Sequence, residues 1–155
     1  MSSVERVQEY LTRHGVGSRV VELDKSTRTA PMAAEAIGTE LGSIVKSLVF
    51  VADGEAVLAL VAGDRRADLL KLAQELGASE VRIASAEEVR EKTGFAIGGV
   101  PPIGHYSPLP TLIDRSLKRF KTVYAAAGSP RAIFPIEFDK LLQLTQGRVA
   151  DITES

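Results

Sequence analysis

No cysteine occurs in the 155 residues. That single absence excludes disulfides, thiolate metal sites and a cysteine nucleophile together. Histidine is nearly as scarce: His14 and His105 are the only two, and no His/Asp/Glu cluster has ligand spacing, so a zinc site is not expected. Ser47, Ser107 and Ser129 lie outside any G-x-S-x-G setting, so a serine-hydrolase nucleophile is not indicated. Charge of one sign is also missing. Nineteen Lys and Arg against twenty Asp and Glu leave a net charge of -1, so no global field draws the chain to nucleic acid or membrane, and any polyanion contact must come from a local patch. The N-terminus has no apolar signal core, and no apolar run reaches membrane-spanning length. A cytoplasmic, metal-free protein is the expectation. At 45% hydrophobic and 25% charged residues, the chain suits one domain with a real core, residues 1–155.

What is present is a mixture of helical and strand periodicities. Val4, Val7, Tyr10 and Leu11 fall on one face of a helix that begins at Ser3 and stops at Gly15. Val20–Leu23 reads as a strand. Hydroxyls before Pro31 mark a second helix N-terminus, with the helix ending at Gly38. Two β-rich runs, Ile44–Ala52 and Glu55–Ala62, flank Asp53-Gly54, the strongest hairpin signal in the chain. Both are apolar at nearly every position, so the hairpin is expected to be covered on both faces. Leu69, Leu70, Leu72, Ala73 and Leu76 predict an apolar helix face stopped by Gly77. A short strand over Val81–Ala84 follows, and the Ser85/Glu88 capping box opens a helix to about Lys92. Strands are expected at Pro110–Asp114, Thr122–Ala127, Ala132–Ile136 (an edge, given Pro135) and Val149–Ile152, with a turn or short helix at Arg115–Phe120. A helix around Phe138, Leu141 and Leu142 precedes the last strand. The class is α+β.

Two features carry chemistry. The stretch Gly94–His105 holds four glycines and the pair Pro101-Pro102, a shaped loop whose free donors are the amides of Gly98, Gly99 and Val100. It is either a tight connection or a cradle for a carbonyl, carboxylate or phosphate oxygen. It does not fit a dinucleotide fingerprint, which needs G-x-G-x-x-G between a strand and a helix. Lys46 is a cation within an apolar strand, where an unpaired charge costs several kcal/mol on the usual desolvation estimates. Either it snorkels or pairs with a carboxylate, or it is a fixed donor to an anionic or carbonyl-bearing ligand. His14 reads as a solvated helix end, and His105 as structural or catalytic. Arg65-Arg66, Arg115, Lys118-Arg119, Lys121 and Arg131 are solvated faces or, if their loops meet at one mouth, a phosphate site.

Ser26 to Gly38, Ile44–Phe50, Gly98–Pro102 and Val123–Ser129, in this order across nearly the whole chain, resemble the YbaK/prolyl-tRNA synthetase-associated domain family. The resemblance implies a single α+β domain with a curved, mixed, mostly antiparallel sheet and flanking helices around a substrate pocket. It implies hydrolysis of the ester of misacylated tRNA, commonly proline tRNA carrying a small wrong amino acid. Lys46 matches the family's strand lysine, which contacts the tRNA 3′ end. Gly98, Gly99, Val100, Pro101 and Pro102 match the G-x-x-x-P loop that helps hold the aminoacyl group. Thr27, Thr29, Ser129 and Asp64 match the pocket wall less closely. No metal and no cofactor is implied. The implied partners are aminoacyl-tRNA and prolyl-tRNA synthetase, without DNA or membrane. Selectivity is expected to be steric, with Pro101-Pro102 and Ala125–Ala127 as walls, the alanines being equally explained by close strand packing. The alternatives are a non-catalytic module that binds a tRNA 3′ end or small ligand, and a structural interaction domain.

Overall fold

The computed structural model describes residues 1–155. Five helices and eight strands follow in the order α1 (Ser3–Arg13), β1 (Val21–Glu22), α2 (Ala30–Ile37), β2 (Ile44–Ala52), β3 (Glu55–Ala62), α3 (Leu69–Leu76), β4 (Val81–Ile83), α4 (Ala86–Thr93), β5 (Thr111–Asp114), β6 (Thr122–Ala126), β7 (Ala132–Glu137), α5 (Phe138–Thr145) and β8 (Arg148–Ala150). All eight strands form one open sheet in the order β1-β7-β6-β2-β3-β5-β8, with β4 pairing beside β2. The sheet is mixed: β2 runs parallel to β6, β3 to β5 and β5 to β8, while the other four pairings are antiparallel. No helix is long and apolar enough to cross a membrane.

The β2–β3 hairpin is the centre of the sheet. Asp53 and Gly54 both sit at positive φ (48° and 86°), the turn geometry that matches strand twist. The alternation along β2 divides the core. Val45, Val49 and Val51 join Leu58 and Leu60 of β3 in the larger core, which takes in Val7 and Leu11 of α1, Val89 of α4 and Leu141 of α5. Phe50 and Ala52 face the other way, against Leu72 of α3. Ile44 packs with the three buried alanines of α2. Helices therefore cover both faces, as the apolar runs require.

Three expectations need correction. In α3, Leu72 is fully buried but Leu69 and Leu70 are 47% and 77% exposed. Asp68 caps this helix through the amides of Leu70 and Lys71, and the first turn it opens points outward. β1 is only two residues long and exposed. It pairs β7 at Ala132 and Ile133 alone, so Pro135 lies on a stretch with one bare edge even though β7 is not the outermost strand. Most important, the hairpin is not covered throughout. Lys46, Ser47 and Leu48 are partly exposed in a strand otherwise buried.

Gly63, just after β3, shows how tightly the surroundings of that opening are built. A Cβ there would come within 2.4 Å of the Leu41 carbonyl and 3.0 Å of the Ala30 side chain. Backbone must move to admit it, and overpacking of this kind costs about 1–3 kcal/mol. Gly63→Ala is expected to lower the denaturant midpoint accordingly, with the slope unchanged. An unaltered midpoint would show that the Leu41–Ser43 turn yields freely.

Candidate active site

The opening arises from how β2 is paired. On its outer edge β6 pairs with Ile44 and Val45, and β4 pairs with Phe50, Val51 and Ala52. No strand covers Lys46–Val49 on that edge, although the Ala84 amide reaches the Val49 carbonyl at 3.0 Å. A cavity of about 460 Å³ occupies the gap. Its walls are the N-terminal end of α2 with Thr27 and Thr29, the bare segment of β2, Ala84 and Val89 beside β4 and α4, and Ile97, Gly98 and Val100 of the glycine-rich loop. Most of this lining is apolar. The charged side chains in it are Arg28 and Lys46, both cationic.

Lys46 donates its ammonium to the Arg65 carbonyl and has no carboxylate within ion-pair distance. Burial foremost, and then the nearby Arg66 charge, hold its pKa below the ordinary lysine value, against a smaller opposing pull from Asp64. Asp64 is engaged elsewhere, in a two-pronged pair with Arg119 at 2.9 and 2.7 Å. That guanidinium keeps the Asp64 carboxyl below its usual range. Asp64 does not line the cavity; it shapes the turn from which Arg65 presents its carbonyl. The lysine thus forms no salt bridge, and its ammonium is held by a backbone carbonyl at mid-strand.

The loop residues divide into two groups. Gly98 (φ +95°) lies in the turn closed by the Gly99 amide on the Ala96 carbonyl at 3.1 Å. Gly99 is therefore not a free donor, a correction to the sequence-based expectation. The Gly98 and Val100 amides have no acceptor within the protein, and both residues line the cavity. Gly99 faces the other way. Its carbonyl accepts from Gly128, and a Cβ would lie 2.8 Å from the Ser129 nitrogen. Ser129 is consumed in that packing, and its hydroxyl accepts from the Arg131 amide. Pro101 accepts from His105 Nε2 at 2.7 Å, and Pro102 borders a different, polar cleft with His105. Pro101-Pro102 are thus behind the cavity wall rather than in it. Of the three alanines, Ala126 lines the cavity while Ala125 and Ala127 are packed in the core.

Thr27 and Thr29 both line the cavity, with their hydroxyls already engaged. Thr27 donates to the Pro130 carbonyl through its amide at 2.6 Å and its hydroxyl at 3.1 Å. Thr29 caps α2 by accepting from the Met32 amide at 3.3 Å. The residue missed in the sequence is Arg28 between them. It sits in a segment legible only as a helix start, and nothing local signals that its side chain crosses to Gly98.

Neither histidine faces the cavity. His14 stacks on Tyr10. His105 is partly buried against Phe95 and holds the loop through Pro101. Arg6 of α1 reaches the Gly94 and Gly104 carbonyls at 3.3 and 3.4 Å and lies over the Phe95 and Tyr106 rings, which ties both ends of the loop to α1.

A sequence model of the aminoacyl-tRNA editing domain matches residues 24–144, and the chain belongs to that family. EbsC of Enterococcus faecalis, provisionally named a Cys-tRNA(Pro)/Cys-tRNA(Cys) deacylase, is 31% identical over 126 residues, 81% of this chain and 77% of that protein. The multifunctional Ser/Thr-tRNA deacylase ProXp-y of Escherichia coli is 33% identical over 129 residues, 80% of this chain and 77% of that one. A crystal structure provisionally described as a trans-editing enzyme for prolyl tRNA synthetase superposes with a TM-score of 0.94 at 51% identity, covering 100% of this chain and 99% of that one.

Two expected outcomes follow from this geometry. The Ser47 hydroxyl is buried with no hydrogen-bond partner, and a buried polar group left unpaired costs about 1–3 kcal/mol. Ser47→Ala is expected to raise Tm; a fall would mean the hydroxyl is satisfied in solution. Burial first, and the Arg6 charge after it, lower the His105 pKa in the fold, outweighing the Pro101 bond. The unfolded chain, with a histidine pKa near 6.5, therefore binds more protons in acid. The neutral ring's stability is complete above about pH 6.5 and is lost as pH falls below it. His105→Gln, which keeps a donor for Pro101, should flatten the decline in unfolding free energy between pH 7 and 5. An unchanged slope would contradict this.

Proposed function

We propose that this chain is an aminoacyl-tRNA deacylase acting in trans. Its proposed substrate is proline tRNA esterified to a small non-cognate amino acid, a product of prolyl-tRNA synthetase error. The observation that carries the reading is Lys46, a lysine without a carboxylate on the bare middle of β2, at the wall of an otherwise mostly apolar cavity. The family membership and the trans-editing structural neighbour support the reaction class. The amino acids in the two deacylase relatives' names are Cys, Ser and Thr. They differ from each other but are all small, in keeping with an apolar lining of alanine, valine and isoleucine.

Hydrolysis adds water to the ester carbonyl, passes through a tetrahedral oxyanion, and breaks the bond to the ribose oxygen, which leaves with a proton from that water. Preorganised donors at the oxyanion supply the largest share of such catalysis. In this reading Lys46 and the unpartnered Gly98 and Val100 amides are those donors. Gly99, Pro101, Pro102 and Ser129 act from behind, by fixing the loop that presents them. The cavity lining holds no carboxylate or imidazole, so the water's proton is taken by the substrate's own α-amine or vicinal ribose hydroxyl. Thr27 and Thr29 shape the wall beside the aminoacyl group. Rejection of prolyl-tRNA is steric, at about 1–3 kcal/mol per methylene.

Lys46→Ala is expected to keep its circular dichroism spectrum and to lose about 10²–10³ in deacylation rate. The check is a panel of Ala, Ser, Thr, Cys, 2-aminobutyrate and Pro on proline tRNA. Release of one or more small residues, with Pro retained, is the expected wild-type pattern. Wild-type rates in Lys46→Ala would remove the lysine from the mechanism. Binding of tRNA without any turnover would replace the deacylase with a binding module.

A further inference from the structure

Arg28 is the other charged side chain of the cavity, and nothing in the protein neutralises it. Its guanidinium makes no ion pair and no hydrogen bond, in contrast to Arg82, Arg119 and Arg148, each held by a carboxylate. Its backbone is firmly held. The Ser26 hydroxyl accepts from the Arg28 amide at 3.2 Å, Thr27 is bonded twice to Pro130, and Thr29 is the cap of α2. From this pinned segment the side chain crosses the loop at Gly98, where a Cβ would lie 3.0 Å from Arg28 Cγ and 3.4 Å from Nε. The missing side chain at Gly98 is what allows the arginine to lie there. The arginine is presented by rigid backbone, exposed, and left without a counter-charge at the rim.

An unmatched guanidinium fits a phosphate in both charge and fork geometry. Resting on the deacylase reading, we propose that Arg28 is a substrate-positioning residue. It grips the phosphodiester on the 5′ side of the terminal adenosine while Lys46 and the loop amides hold the aminoacyl ester. The cavity then has separate grips for the two ends of one aminoacylated nucleotide. The phosphate contact contributes to binding and orientation and not to the chemistry at the carbonyl.

The test compares misacylated tRNA with 3′-O-aminoacyl-adenosine, which lacks that phosphate, for wild type, Arg28→Ala, Arg28→Lys and Arg148→Ala. The last removes a guanidinium that Glu75 already matches. Arg28→Ala is expected to lower kcat/KM on tRNA about tenfold, mainly through KM. It should also reduce the salt-dependence slope by about 0.7, the value for one single-strand phosphate contact, while leaving aminoacyl-adenosine turnover unchanged. Arg28→Lys should retain the slope and recover part of the loss. Arg148→Ala should leave the slope as in wild type. Equal losses on both substrates, or an unchanged slope in Arg28→Ala, would overturn the proposal. Should wild type hydrolyse neither substrate, the deacylase reading fails on its own. The affinity of a 5′-phosphorylated CCA trinucleotide then decides the contact: weaker binding and a shallower slope in Arg28→Ala support it, equal binding refutes it.

Discussion

Everything at the candidate site depends on an interruption in sheet pairing. β2 is the most central strand, yet one of its edges is shared by two short partners that stop short of each other. A continuous neighbour would bury Lys46–Val49 completely and leave no room for a ligand. Because β6 ends near Val45 and β4 begins at Phe50, the sheet keeps its hydrogen-bonded centre through β3 and still opens a pocket at mid-strand. Rigidity and access come from the same strand, which is what the proposed hold on an ester carbonyl requires.

The remaining elements set the walls of that interruption. α2 closes one side through buried alanines, which let its backbone approach the sheet. The glycine-rich loop closes the other, tied to α1 by Arg6 and to itself by His105. The Asp64–Arg119 pair fixes the turn whose carbonyl receives Lys46. The polar interactions around the site are mostly spent on holding backbone. Those left unspent include Lys46's remaining donors, the Arg28 guanidinium, the Gly98 and Val100 amides and the Ser47 hydroxyl, a donor-rich set that suits a ligand bearing carbonyl and phosphate oxygens.

Much of this was legible in the sequence where local physics decides. The Asp53-Gly54 turn, the Ser85/Glu88 box and the Gly38 and Gly77 stops have local causes, and all appear in the fold. Lys46 stood out because desolvation makes a cation in an apolar strand anomalous. What could not be read was tertiary. Leu69 and Leu70 look like a buried face until the docking angle of α3 is known. The Gly98–Pro102 motif looks like one surface, but its residues alternate between cavity and packing. Gly99 and Ser129 touch each other rather than the cavity. Arg28 carries no local signature, because its importance arises from Gly98, seventy positions later in the chain.

The central claim is that the interrupted edge of β2 receives the aminoacyl end of tRNA. A crystal structure with a non-hydrolysable 3′-aminoacylamido-adenosine tests it most directly. The amide carbonyl is expected within hydrogen-bond distance of Lys46 Nζ or the Val100 amide, with the amino-acid side chain against Val45, Val49 and Ala126. Density for the ligand in the polar cleft beside Pro102 and His105, with the β2 cavity empty, would contradict it.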